Sequence, residues 1–158
     1  MSKRKVSVLI VCTGNICRSP TAEGVLRSLA ARDFAQLDLV VDSAGTANYH
    51  VGEPPDRRTV AAARRRGYEI ASLRARQVVA ADLQGFDYVL AMDRTNLAEL
   101  RALGAATPRA HLGLLLDFAP ECATDEVPDP YYGGQEDFER VLDLCEAGAR
   151  GLLRRLVS

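Results

Sequence analysis

Cys12 and Arg18 are separated by five residues in CTGNICRSP, a stretch that follows directly on the apolar run VSVLIV. A thiol, a short turn of small and polar residues and a guanidinium at this spacing suit one task, the capture of a tetrahedral oxyanion. A turn from a strand into a helix aims successive backbone N–H groups inward, and the helix N-terminus adds partial positive charge. Thr13, Gly14, Asn15, Ile16, Cys17 and Ser19 supply that cradle. Gly14 is free to take positive φ, and Asn15 is among the residue types that tolerate it. Arg18 can fork across two oxygens of a dianion. An anion held this way by its oxygens turns its central atom toward the base of the loop, where the Cys12 sulfur lies. The electropositive surroundings favour the thiolate, the form that attacks, and Ser19 is placed to donate to it. Attack on phosphorus forms a phosphocysteine and releases an alcohol or phenol.

The departing oxygen needs a proton that a thiolate cannot give. Asp125, Glu126 and Asp129 lie together in TDEVPDPYYGG. Asp129 is the candidate of choice because Pro130 stiffens the loop presenting it. It would serve as general acid in the first step and activate water in the second.

Strands and helices that could position these groups are legible in the hydrophobic pattern. Residues 6–11 read as a strand buried on both faces. Ser19 is expected to cap the helix that follows, with Pro20 in its first turn. A second strand covers 37–41 and ends in DSAGT. PPDRRTVAAARRRGYE reads as a helix stopped by Gly67, and a shorter helix is expected over 78–83. A third strand spans 86–92, and Asp93 caps the helix RTNLAELRALG. A fourth strand is expected at 109–115. From 134 to 156 apolar residues recur on one face of a long closing helix. Alternating strands and helices predict an α/β fold, an open, mostly four-stranded parallel sheet with helices on both faces. Ligands in such sheets bind beyond the carboxyl ends of the strands, where Cys12 falls.

CTGNICRSP, DSAGT after the second strand, ARQV at 75–78 and DPYYG at 129–133 together resemble the low-molecular-weight protein tyrosine phosphatases, in order and over almost the whole chain. The resemblance implies the phosphotyrosine phosphatase I (flavodoxin-like) topology. It implies Cys12 as nucleophile, Arg18 as phosphate clamp and Asp129 as acid, with Asn15 and Ser43 as the pair holding the loop's backbone. Cys17 corresponds to the family's second cysteine, which traps an oxidised Cys12 as a reversible disulfide. Tyr49, Tyr131 and Tyr132 match the walls of a crevice deep enough for an aryl phosphate. Ile16 stands where relatives acting on phosphoarginine tend to carry threonine, which favours phosphotyrosine. One departure is Leu73, found where many members place a histidine in a hydrogen-bond network behind the loop.

Composition narrows the alternatives. The 158 residues suit one domain, 1–158, and a net charge of −1 leaves no electrostatic footprint for nucleic acid or anionic membrane. No apolar run reaches transmembrane length, and VSVLIV is too short for a secretory core, so a cytoplasmic protein with reduced cysteines is expected. The expected partners are phosphotyrosine-containing protein substrates and phosphate or a similar oxyanion, and the expected state is a monomer with no cofactor. The loop lacks the second glycine and the lysine of a nucleotide P-loop. Zinc is not expected, since only His50 and His111 could complete a site with Cys12 and Cys17. His50 reads as a surface-loop residue, Arg64 to Arg66 as a solvated face, and Cys122 and Cys145 as structural. Two rival functions share the anion loop. An arsenate reductase needs further cysteines to pass a disulfide outward, and none occurs between Cys17 and Cys122. A non-catalytic phosphotyrosine binder would lack the nucleophile, the arginine or the acid, and all three are here.

Overall fold

The computed structural model describes residues 3–104 and 107–158. Its strands are β1 (Arg4–Cys12), β2 (Leu37–Gly45), β3 (Tyr88–Ala91) and β4 (His111–Leu114), and its helices are α1 (Arg18–Asp33), α2 (Arg57–Arg65), α3 (Asp82–Gly85), α4 (Arg94–Leu103) and α5 (Gln135–Val157). The sheet runs β2-β1-β3-β4 and every pair is parallel. This is the open doubly wound arrangement expected. The chain leaves β1 toward β2 on one side, and β3 lies on the other, so strand order reverses at β1.

Because side chains alternate across a strand, the sheet splits β1 between two cores. Val6, Val8, Ile10 and Cys12 pack with α1, α2 and α5, whereas Leu9 and Val11 pack with Leu83, Leu97 and Leu100 from α3 and α4. Leu9, Ile10 and Val11 are fully buried, as a strand covered on both faces requires. Register then gathers the functional ends: Cys12 lies opposite Gly45 and Ile10 opposite Ser43 on β2, while Val11 lies opposite Ala91 on β3. Asp93, two residues beyond β3, therefore emerges beside the loop after Cys12.

Several local expectations need correction. Ser19 does not cap α1; the cap position is Cys17, which makes no side-chain capping bond, and Ser19 lies inside the first turn. Its hydroxyl turns to the sulfur instead, and the helix N–H groups stay open to an anion. The helix expected at 78–83 is shorter and later, Asp82–Gly85, because Val78 N–H donates to the Gly45 carbonyl and draws the preceding residues to the sheet edge. The fourth strand ends at Leu114, where Leu115–Phe118 form a 3₁₀ turn. Gly67, at φ +87°, stands just past α2, as its stop signal predicts.

Candidate active site

The loop between β1 and α1 is held open by one unusual backbone position. Asn15 takes φ +57°, the only non-glycine with positive φ among the described residues. Gly14 does not take it; what Gly14 permits is the close approach of His50, whose Cδ2 would lie 3.1 Å from a Cβ there. The Asn15 side chain anchors the turn from within, buried at 3% exposure. Its Oδ1 accepts the Arg76 N–H at 3.0 Å, and its Nδ2 donates to Ser19 at 2.8 Å and to Ser43 at 3.0 Å. Thr46 N–H and Ala47 N–H bond the Cys12 and Thr13 carbonyls from outside. Gly45 allows that crossing, because a Cβ there would sit 2.5 Å from the Thr13 oxygen. DSAGT and ARQV are thus the two supports of the loop.

Cys12 Sγ is 3.0 Å from Ser19 Oγ and accepts the Asn15 N–H at 3.3 Å. A backbone amide, the Ser19 hydroxyl and the start of α1 thus converge on one sulfur. Burial pushes the Cys17 thiol up to about 12, so it stays protonated. Both cysteines are free and line the same cleft. Cys145 is fully buried and Cys122 half-buried, consistent with structural roles.

Arg18 is 3% exposed and almost wholly committed. Its Nη1 donates to Asp93 at 2.6 Å and to the Val127 carbonyl at 3.0 Å, and its Nη2 donates to Thr13 Oγ1 at 3.3 Å. Burial opposes its charge, but Cys12, Asp93 and Asp129 outweigh that and raise its pKa further. Nη1 has no hydrogen left, which leaves Nε–H and the second Nη2 hydrogen for an incoming anion. Asp129 Oδ2 lies 4.0 Å from Nη2 on an exposed side chain, and its Oδ1 accepts the Tyr131 N–H at 3.1 Å.

Behind the loop lies a second buried charge. Glu23, 3% exposed, accepts the Ser43 hydroxyl at 2.7 Å and pairs with Arg27 at 2.6 Å. Its pKa is raised by burial, with Ser43 and Arg27 opposing. Leu73, at the place of the absent histidine, is half-buried against the core.

Cys12, Thr13, Gly14, Ile16, Cys17, Arg18 and Asp129 line one cleft of about 280 Å³, walled by Tyr49, His50, Tyr131 and Tyr132. Tyr49 and Tyr132 are 77% and 96% exposed, so they form its rim. Every residue expected at the site is thereby in the cleft, in the loop or directly behind it. Sequence reasoning missed the second role of Asp93 and did not single out Glu23 at all, and it took His50 for plain surface. Position at the end of β3 was the signal available for Asp93; the helical spacing Glu23 to Arg27 hinted at a pair but not at its burial. His50 instead lies across Gly14, its Nδ1 2.8 Å from Glu53. Arg64 and Arg65 are exposed, as a solvated face requires, though Arg65 pairs with Glu139 of α5, while the half-buried Arg66 bonds both Glu139 and Glu146.

No helix among the described residues is long and apolar enough to cross a membrane, and no group of three or more candidate ligands could hold a metal ion. Residues 7–158 match the family model for low molecular weight phosphotyrosine protein phosphatase. The chain is 43% identical over 148 residues to the low molecular weight protein-tyrosine-phosphatase YfkJ of Bacillus subtilis, covering 94% of each. It is 40% identical over 151 residues to the human low molecular weight phosphotyrosine protein phosphatase, again covering 94% of each. Among solved structures, a protein tyrosine phosphatase from Entamoeba histolytica with Hepes in the active site superposes with a TM-score of 0.91 at 39% identity, covering 96% of this chain and 97% of that one.

Proposed function

From its place in the low molecular weight phosphotyrosine protein phosphatase family, to which this chain belongs, we infer that it hydrolyses phosphotyrosine in proteins, and small aryl phosphates, through a phosphocysteine on Cys12. The observation that carries this reading is the convergence of Cys12, Arg18 and Asp129 on one cleft.

In the first step the Cys12 thiolate, stabilised by Ser19 and the Asn15 N–H, attacks phosphorus in line. The loop's backbone N–H groups and the free edge of Arg18 take the phosphoryl oxygens, whose charge grows in the transition state. Asp93 and the Val127 carbonyl fix the guanidinium plane beforehand, so little reorganisation accompanies binding. Asp129, held by the Tyr131 N–H at the mouth, delivers its proton to the departing phenol oxygen. In the second step the same carboxylate takes a proton from water, which attacks the phosphocysteine and frees phosphate. Tyr49, Tyr131 and Tyr132 flank the aryl group, and the depth they create leaves a phosphoserine phosphorus short of the sulfur. No step requires a metal ion.

Hydrolysis of matched phosphotyrosine, phosphoserine and phosphoarginine peptides in EDTA tests this directly. Tyrosine-selective turnover is expected, abolished in Cys12→Ser and lowered by about 10²–10⁴ in Asp129→Asn. Turnover surviving Cys12→Ser would sink the mechanism. Preference for phosphoarginine would keep the cysteine chemistry and overturn the selectivity assigned to Ile16.

A further inference from the structure

We propose that the Thr13 side-chain hydroxyl donates a hydrogen bond to a phosphoryl oxygen of the bound substrate, a contact separate from the loop's backbone amides. The inference rests on the phosphatase reading above.

A hydroxyl has one hydrogen and two lone pairs. At Thr13 Oγ1 both lone pairs are taken by nitrogen donors: Asn96 Nδ2 approaches at 3.1 Å and Arg18 Nη2 at 3.3 Å. Neither nitrogen can accept in return, so the Thr13 hydrogen must point elsewhere. It bonds to no acceptor among the described residues, although Thr13 is half-buried. Thr13 lines the cleft beside Cys12, Arg18 and Asp129.

Asn96 makes this arrangement rigid. It is completely buried in the first turn of α4, its own N–H bonded to Asp93 Oδ1 at 2.8 Å. Its Oδ1 has no donor, so the Thr13 bond is the one made by this buried amide's side chain. Because the amide turns Nδ2 rather than Oδ1 to Thr13, it donates there and leaves the Thr13 proton for the cleft. Asp93 belongs to the same unit: it holds Arg18 through Oδ2 and Asn96 through Oδ1. Strand β3 and helix α4 thus set both the clamp and the hydroxyl beside it. A donor pre-aimed at a charged oxygen makes a stronger bond than one between neutral groups, and its value rises as negative charge builds on the phosphoryl group.

Orthovanadate, bound at Cys12 in place of the transferring phosphoryl group, is the probe. A crystal structure of the native chain with vanadate should place Thr13 Oγ1 about 2.5–3.0 Å from a vanadate oxygen. Vanadate inhibition and aryl phosphate hydrolysis should each weaken about ten- to hundredfold in Thr13→Val, and Thr13→Ser should stay within about threefold of native. Separation beyond about 3.5 Å in the crystal, or a Thr13→Val variant equal to native, overturns the inference while native turnover continues. A native chain that neither hydrolyses aryl phosphate nor binds vanadate would instead overturn the phosphatase reading on which it stands.

Discussion

Ser43 donates its hydroxyl proton to the Glu23 carboxylate across 2.7 Å, in a pocket where neither residue is more than 5% exposed. That bond gives the loop's hydrogen bonds a direction. Asn15 must present Nδ2 to Ser43 and Ser19, because its Oδ1 is occupied by the Arg76 N–H. Ser43 accepts from Asn15 and passes its own proton outward to Glu23. Ser19 likewise accepts from Asn15, so its proton is shared between the sulfur 3.0 Å away and the Ala44 carbonyl at 3.4 Å. A buried carboxylate behind the loop thus completes the order of hydrogen bonds that reaches the Cys12 sulfur.

Glu23 also makes stability depend on pH in a defined sense. Burial raises its pKa above the ordinary 4.5, so the folded chain holds this proton more tightly than the unfolded one. Stability contributed by the protonated form is therefore lost as pH rises through the window between the two values. Urea unfolding of native and Glu23→Gln proteins, at pH about 4.5 and at neutral pH, should show a smaller fall for the variant. Equal falls would mean that Glu23 titrates alike in both states.

Asn15 contributes a backbone conformation and a side chain, and two variants separate them. Asn15→Ala must hold φ +57° with a Cβ and lose all three side-chain bonds, a destabilisation on the order of 3 kcal/mol. Asn15→Gly keeps the backbone at ease but loses the same bonds. Thermal melts should therefore show Asn15→Gly as the more stable of the two, with kcat falling at least tenfold in both. Full activity in Asn15→Gly would show that the side chain is dispensable.

Asp93 caps α4 through the Asn96 N–H and clamps Arg18 through its other oxygen. Asp93→Asn preserves a good cap but removes the charge facing the guanidinium. Its melting temperature should fall, because an amide N–H₂ then faces the buried guanidinium, but less than that of Asp93→Ala, while inhibition by inorganic phosphate changes. Asp93→Ala should show that altered inhibition and also lose about 0.5–2 kcal/mol of stability. Identical melting of the two variants would refute this division of labour.

At Gly45 the prediction concerns space. A Cβ would approach the Thr13 carbonyl oxygen to 2.5 Å and Asn15 Cβ to 3.2 Å, so Gly45→Ala must displace the loop or the end of β2. Hydrolysis should drop by more than tenfold, and alkylation of Cys12 by iodoacetamide should slow with it. Native rates in both assays would show that the loop yields without consequence.

Much of this architecture was legible in the chain. Apolar runs ending at Val11, Val41 and Met92 marked three strands, and parallel pairing could only bring their ends to one edge. Boundaries were less legible. Ser19 has the side chain of a helix cap, yet the sulfur and Asn15 claim its hydroxyl, and such competition between partners is a three-dimensional fact. The helix near residue 80 starts late because Val78 is drawn to Gly45, a residue more than thirty positions earlier.

The sequence by itself determined which groups are offered: a thiol and a guanidinium at a spacing that one loop can fold around an oxyanion, a carboxylate next to a proline, and tyrosines beside it. These are properties of residue types and short-range spacing, which local geometry fixes. Only the tertiary structure decided how the groups are held. Asp93 on Arg18, Asn96 on Thr13 and Glu23 on Ser43 join residues 75, 83 and 20 positions apart, and hydrogen bonds at that range exist only once sheet register and helix packing have set the distances.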